Sequence, residues 1–290
     1  MLDRSAVRPT AALLLNAAAW GLSWWPFRWL ADHGLHPLWA TVVIYAWVVL
    51  AMTLWRPQIW RELLSRPQLA WIVLAAGTTN AAFNWAVTVG EVLRVVLLFY
   101  LMPLWAVLLA RWLLREPLTP VAALRLALAL SGALVVLSPQ DAQWWPVPRS
   151  LSDWLGVLGG FSFALNNVLL RREAQQSPEV RLLAMFVGGL IVSAAVVGVA
   201  GPAAGVQSPW PTWTDWFVPC IVLAAMAWVS NQALQYGAAR VPANATAVIM
   251  VAEVVFAGVS AVAIGVQVLS PALLVGGALI LSASLLAAWH

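Results

Sequence analysis

The sequence predicts an all-α integral membrane protein of ten transmembrane helices, arranged as two inverted five-helix repeats with both termini cytoplasmic. Three observations carry this expectation: the apolar excess runs from end to end, the arginines gather in alternate connections, and the chain resembles itself at a displacement of about 150 residues. Of its 290 residues, 63% are hydrophobic and 9% charged. A soluble domain carries roughly a quarter charged residues and just under half apolar ones. Mean hydropathy is +0.87, and 20 residues are Trp, a side chain that favours the boundary between lipid and water. These values exclude a soluble enzyme, a nucleic-acid binder and a secreted disulfide scaffold. The single cysteine, Cys220, stands in an apolar stretch and reads as a small core residue.

A membrane-crossing helix needs about 20 mostly apolar residues. Ten segments meet that need: 9–31, 37–55, 68–89, 92–114, 119–138, 153–172, 180–200, 214–238, 241–266 and 270–289. The first begins like a signal peptide, with Arg4 and Arg8 ahead of Leu13, but its apolar stretch continues to Leu30 and reads as a spanning helix. Only 139–152 and 201–213 leave room for longer loops.

The basic residues set the orientation. All 15 are Arg, so the pI near 10.2 reflects arginines at the ends of apolar runs rather than a nucleic-acid surface. With a cytoplasmic N-terminus, Arg4, Arg8, Arg56, Arg61, Arg66, Arg111, Arg115, Arg125, Arg171, Arg172, Arg181 and Arg240 fall inside, and only Arg28, Arg94 and Arg149 outside. Such an excess marks the cytoplasmic side. Trp144, Trp145, Trp154, Trp210, Trp213 and Trp216 then form an outer aromatic belt, and Trp55, Trp60, Trp71, Trp112 and Trp289 an inner one.

A shift of 151 residues aligns 69–138 with 220–289 without a gap, pairing Asn80 with Asn231, Trp85 with Tyr236 and Thr119-Pro120 with Ser270-Pro271. A shift of 143 pairs Trp20-Gly21 with Phe163-Ala164 and Arg28 with Arg171. The repeats cover 1–138 and 150–290. Because each holds an odd number of helices, the second enters the membrane with opposite polarity. Inverted repeats of this kind characterise transporters, with substrate bound between the halves.

The chain resembles the drug/metabolite transporter superfamily, in particular its EamA-type members. The residues that carry the likeness are Trp20-Gly21, Met102-Pro103, Arg115-Glu116-Pro117-Leu118-Thr119-Pro120, Ala252-Glu253-Val254 and Val268-Leu269-Ser270-Pro271. The family's Glu-Pro pair is split here, helix four keeping Pro103 and helix nine keeping Glu253. Its Gly-Glu pair stands as Arg115-Glu116 in one half and Val266-Gln267 in the other. With Ala19-Trp20-Gly21-Leu22-Ser23 in the first helix, the chain looks most like the YddG-type exporters of aromatic and other amino acids. That resemblance implies alternating-access export of neutral amino acids across a bacterial-type inner membrane. The alternative is export of lipophilic cations or other toxic small molecules.

Polar side chains inside a span point to a pathway. Asn80 and Asn84 share a helical face, as do Asn231 and Gln235, followed by Trp85 and Tyr236. Two such stripes would face each other across the pseudo-two-fold axis, and their carboxamides could meet both charges of a zwitterion. Trp20, Ser23, Thr79, Tyr100, Trp105, Asn166 and Asn244 complete the expected pathway. Glu253 is the one carboxylate near the middle of a span and the candidate for proton coupling. Pro26 and Pro103 are candidate hinges. Gly156 and Gly160 form a small-residue packing face. Gly160-Phe161-Ser162-Phe163-Ala164 lacks an intramembrane His to act as base and is not a nucleophile motif. There are no paired carboxylates, metal-ligand clusters or phosphate loops, so no enzyme, metal, cofactor or nucleic acid is expected. The expected partners are a small-molecule substrate and the lipid bilayer, with no obligate protein partner. A nucleotide-sugar cargo would need buried Arg, whereas the arginines are expected at helix ends.

Overall fold

The computed structural model describes residues 4–90, 92–137, 148–201, 206, 208–210, 213–266 and 268–287. Trp144, Trp145, Gln267, Trp289 and most of both longer loops lie outside the described residues. Among the described residues every regular element is helical. In order these are α1 (Arg4–Asp32), α2 (Pro37–Trp55), α3 (Ile59–Leu64), α4 (Ala70–Val89), α5 (Val92–Phe99), α6 (Met102–Leu109) and α7 (Pro120–Leu137). Then follow α8 (Leu151–Arg172), α9 (Pro178–Ala200), α10 (Trp213–Ala238), α11 (Ala243–Met250), α12 (Glu253–Ala263) and α13 (Pro271–Ala287).

Six stretches are long and apolar enough to cross a membrane by length and composition: Pro37–Trp55, Arg94–Leu114, Pro120–Leu137, Pro178–Val199, Trp213–Ala238 and Ala243–Ala263. Pro271–Ala287 is apolar but shorter. The long helices α1, α4 and α8 are not among the six. Each carries polar residues along its length, such as Asn16 in α1, Thr79, Asn80 and Asn84 in α4, and Asn166 and Asn167 in α8.

Local sequence sets the helix starts. Ser150 and Ser177 cap α8 and α9, accepting from the backbone N–H of Asp153 (3.2 Å) and Val180 (3.4 Å). The two Ser/Thr-Pro motifs do the same work at matched positions. Thr119 Oγ1 accepts from Ala122 N–H and Ser270 Oγ from Leu273 N–H, each at 3.1 Å. The motif is therefore a helix cap, with proline at the first turn where its missing N–H costs nothing.

Packing follows small residues. α7 lies against α13, where a Cβ on Gly132 would come within 2.7 Å of the Gly276 carbonyl. Each of α4 and α10 lies against the first helix of the opposite half, α4 on α8 and α10 on α1. α4 also packs on α9, and α2 on both α9 and α10. α1 stays helical through Pro9 and Pro26.

Two arginines at helix ends are buried rather than set at the surface. Arg125 and Arg181 are buried within the first two turns of α7 and α9. Arg181 Nη1 donates to the Leu170 carbonyl at 2.9 Å.

Candidate functional site between broken helices

The middle of the bundle is marked by two interrupted helices. α5 ends at Phe99 and α6 starts at Met102; α11 ends at Met250 and α12 starts at Glu253. Both ends of the second break lie 151 residues beyond those of the first, the same offset that aligns the sequence. Pro103 explains the first break, since it lacks the N–H that would bond Phe99. The second has no proline, but like the first it tightens into i→i+3 bonds, Val254 N–H to the Val251 carbonyl at 3.1 Å and Val255 N–H to Ala252 at 3.0 Å.

The breaks bring chemistry together. Glu253 opens α12, so its carboxylate sits where the helix dipole favours an anion. The buried Tyr100 lies in the first break, which the 151-residue offset pairs with the break that Glu253 closes. α1 meets the same point through Gly21, where a Cβ would come within 2.5 Å of the Glu253 carbonyl. Trp24 Nε1 then donates to Ser260 Oγ at 3.0 Å, fastening α1 to α12. The half-buried Trp105 packs edge-on against Phe161, with ring centres 5.7 Å apart.

The carboxamide stripes behave differently from one another. Asn80 Oδ1 accepts from the Tyr45 hydroxyl at 2.9 Å, and Asn84 Nδ2 donates to Thr41 Oγ1 at 2.5 Å, so both fasten α4 to α2. Asn231 Nδ2 donates to Ala227 of its own helix at 2.8 Å, and Gln235 Nε2 contacts Met185 Sδ on α9 at 2.8 Å. The structure thus seats the stripes in separate interfaces. Ser23 and Thr79 donate to their own helices, at Trp20 (2.6 Å) and Ala75 (2.8 Å). Trp20 and Trp85 are half-buried, and Asn166 is buried with Oδ1 unpartnered among the described residues.

Two expected pathway residues lie elsewhere. Tyr236 is 38% exposed, on a stripe of α10 shared with Val218, Val222 and Val229, and stacks under Arg240 at 4.0 Å. Helical spacing puts it on the outward face beside an arginine. Asn244 is the second residue of α11, at the arginine-rich end rather than the middle.

Three buried amides or hydroxyls carry no mark in the sequence search, because each lacks a polar counterpart in the other repeat. Asn16 Nδ2 donates to the Ser230 carbonyl at 2.7 Å and ties α1 to α10. Asn167 and Thr246 are fully buried, and Asn167 Nδ2 and Oδ1 and Thr246 Oγ1 have no partner among the described residues. Adjacency to Asn166 was the one signal available for Asn167.

At the arginine-rich end a latch joins the halves. Ala243 N–H, at the start of α11, donates to Glu116 Oε1 at 3.3 Å, and Arg171 Nε lies 4.0 Å from the same oxygen. Arg171 Nη1 donates to the Ala239 carbonyl at 2.5 Å. Arg115 turns the chain into this contact with φ 56°, a left-handed conformation that glycine adopts without cost. A cavity of about 570 Å³ opens beside the latch, lined by Leu113, Leu114, Glu116, Arg171, Arg172 and Gln175 among others.

Broken helices with matched interruptions, in a bundle with six stretches long and apolar enough to cross a membrane, fit a multi-pass helical membrane protein. Residues 9–138 match the EamA-like transporter family, and a transport role fits that match. No curated protein matches the chain. A solved structure titled only "Crystal structure of protein" is similar in fold, with TM-score 0.76, 19% identity and 96% of each chain covered.

Proposed function

We propose that the protein exports amino acids, aromatic and other neutral ones, by alternating access across a bacterial-type inner membrane. In this reading ten spans form two inverted repeats, 1–138 and 150–290, with both termini cytoplasmic. The single observation that carries it is the pair of helix breaks at matched positions. An interrupted helix frees backbone groups at the midplane, and two related by the repeat supply a binding site at the axis between the halves. Trp20, Tyr100, Trp105, Asn166, Gln235 and Glu253 would line the path, offering aromatic walls and neutral hydrogen-bonding groups to a zwitterion. Asn80, Asn84 and Asn231 act in this scheme as fasteners between or within helices.

Counterflow in proteoliposomes, with labelled aromatic and aliphatic amino acids and one lipophilic cation, tests the reading. Exchange of amino acids is expected. Exchange of the cation alone would overturn it and favour the second reading, export of lipophilic cations, which rests on Glu253 as the one carboxylate near the middle of a span.

A further inference from the structure

The latch at the arginine-rich end has a second layer behind it. Three elements meet in the latch on the second-half side: α8 through Arg171, the end of α10 through Ala239, and the start of α11 through Ala243. One helical turn further into the bundle on each lies a polar residue: Asn167 four before Arg171, Gln235 four before Ala239, and Thr246 three after Ala243. All three are fully buried. Each presents an oxygen with no partner among the described residues, namely Asn167 Oδ1, Gln235 Oε1 and Thr246 Oγ1, and Asn167 Nδ2 is likewise unpartnered. Next to Asn167 and Thr246 along their helices, Ala164 and Val168 of α8 share an apolar cluster with Ala243 and Ala247 of α11.

Buried polar groups are normally satisfied, and three unsatisfied ones at one level on neighbouring helices call for a polar occupant. We propose that Asn167, Gln235 and Thr246 form an inner loading site for the α-amino and carboxylate head of a neutral amino acid, closed from the cytoplasm by Glu116 and Arg171. Three oxygens match the three N–H bonds of an ammonium group. Asn167 Nδ2 and the Thr246 hydroxyl supply the donors that a carboxylate requires. The site belongs to the second repeat alone: the counterparts of Asn167 and Thr246 are Trp24 and Val95. It therefore gives the two sides of the membrane different affinities. The inference rests on the amino-acid export reading.

The test uses the full chain in proteoliposomes, with labelled phenylalanine presented on the arginine-rich face. Wild type, Asn167→Leu and the isosteric Thr246→Val are compared, with thermal stability measured in parallel. The half-saturating concentration from that face should rise about tenfold or more in both variants, as expected when a hydrogen bond to a charged group is lost. From the opposite face it should stay near the wild-type value. Should Asn167→Leu fail to fold, Thr246→Val decides alone. Wild-type exchange with half-saturation unchanged in the folded variants overturns the loading site and leaves the export reading standing. Failure of wild type to exchange any amino acid overturns both.

Discussion

Two interfaces that the repeat makes equivalent are built from opposite materials. Between α4 and α9 the backbones nearly touch: a Cβ on Gly77 would come within 2.5 Å of the Gly188 carbonyl, and one on Gly188 would strike the Val73 backbone. Between α10 and α2 the gap is filled by rings, Trp47 on Phe217 at 5.4 Å and Trp55 near Trp228 at 6.2 Å. By the two sequence offsets Gly77 corresponds to Trp228, and Gly188 to Tyr45. Small residues let helices interlock over their backbones, which locks a single spacing. Aromatic rings meet edge-on over a range of separations, so that interface can slide. In an alternating-access protein the ring-filled interface is the one expected to move.

The largest effect should come from breaking the locked side. Gly188→Leu must displace the α4 backbone, with an expected loss of about 3 kcal/mol and failure to reach the folded state in detergent, read as melting temperature. Removing a ring from the other side, Trp228→Ala, should lower stability by less, because the side chain is only partly buried. It should change the transport rate by more than its effect on melting suggests. Equal melting losses in the two variants would erase the contrast between interfaces.

The amides sharpen the comparison at smaller amplitude. Asn80→Ala severs the tie to Tyr45 beside the locked interface and should cost about 1 kcal/mol, while Asn231→Ala, whose amide serves only its own helix, should cost less. Neither should abolish transport. A complete loss of transport in both, with folding intact, would return them to the pathway. Glu253→Gln should abolish the pH dependence of export if the carboxyl carries the coupling proton, and a full wild-type pH profile in that variant rules the coupling out.

The smallest effect concerns the turn before α2. His36 accepts from the Leu38 N–H at 3.2 Å through Nδ1, a bond only the unprotonated ring can make, and burial lowers its pKa from 6.5. The folded state thus prefers neutral His36, so this contribution is present above pH 6.5 and falls away as the pH drops below it. A slight decline in melting temperature over that window should vanish in His36→Asn.

Much of the fold was legible because its causes are local. The helix starts at Ser150, Ser177, Thr119 and Ser270 follow from side chains that cap the next turn, and the break at Met102 follows from Pro103. The break at Glu253 could be expected only from the repeat, since no proline marks it. The site was less legible. A polar residue inside a span signals a buried partner, but sequence does not say whether that partner is another helix or a ligand. Asn80 and Asn84 bond Tyr45 and Thr41, while the side chain of Asn167 has no partner among the described residues. Tyr236 shares the spacing of a pathway residue and is rotated onto the outer face beside Arg240.

By itself the sequence determined that this is a membrane protein, where its helices begin, and that one half echoes the other. Those properties come from composition, capping and periodicity, which act over a few residues. Only the tertiary structure decided which polar groups are already satisfied and which of two related interfaces is locked. Both depend on the rotation and separation of helices far apart in the chain, and a rotation by a fraction of a turn exchanges a fastener for a binding group.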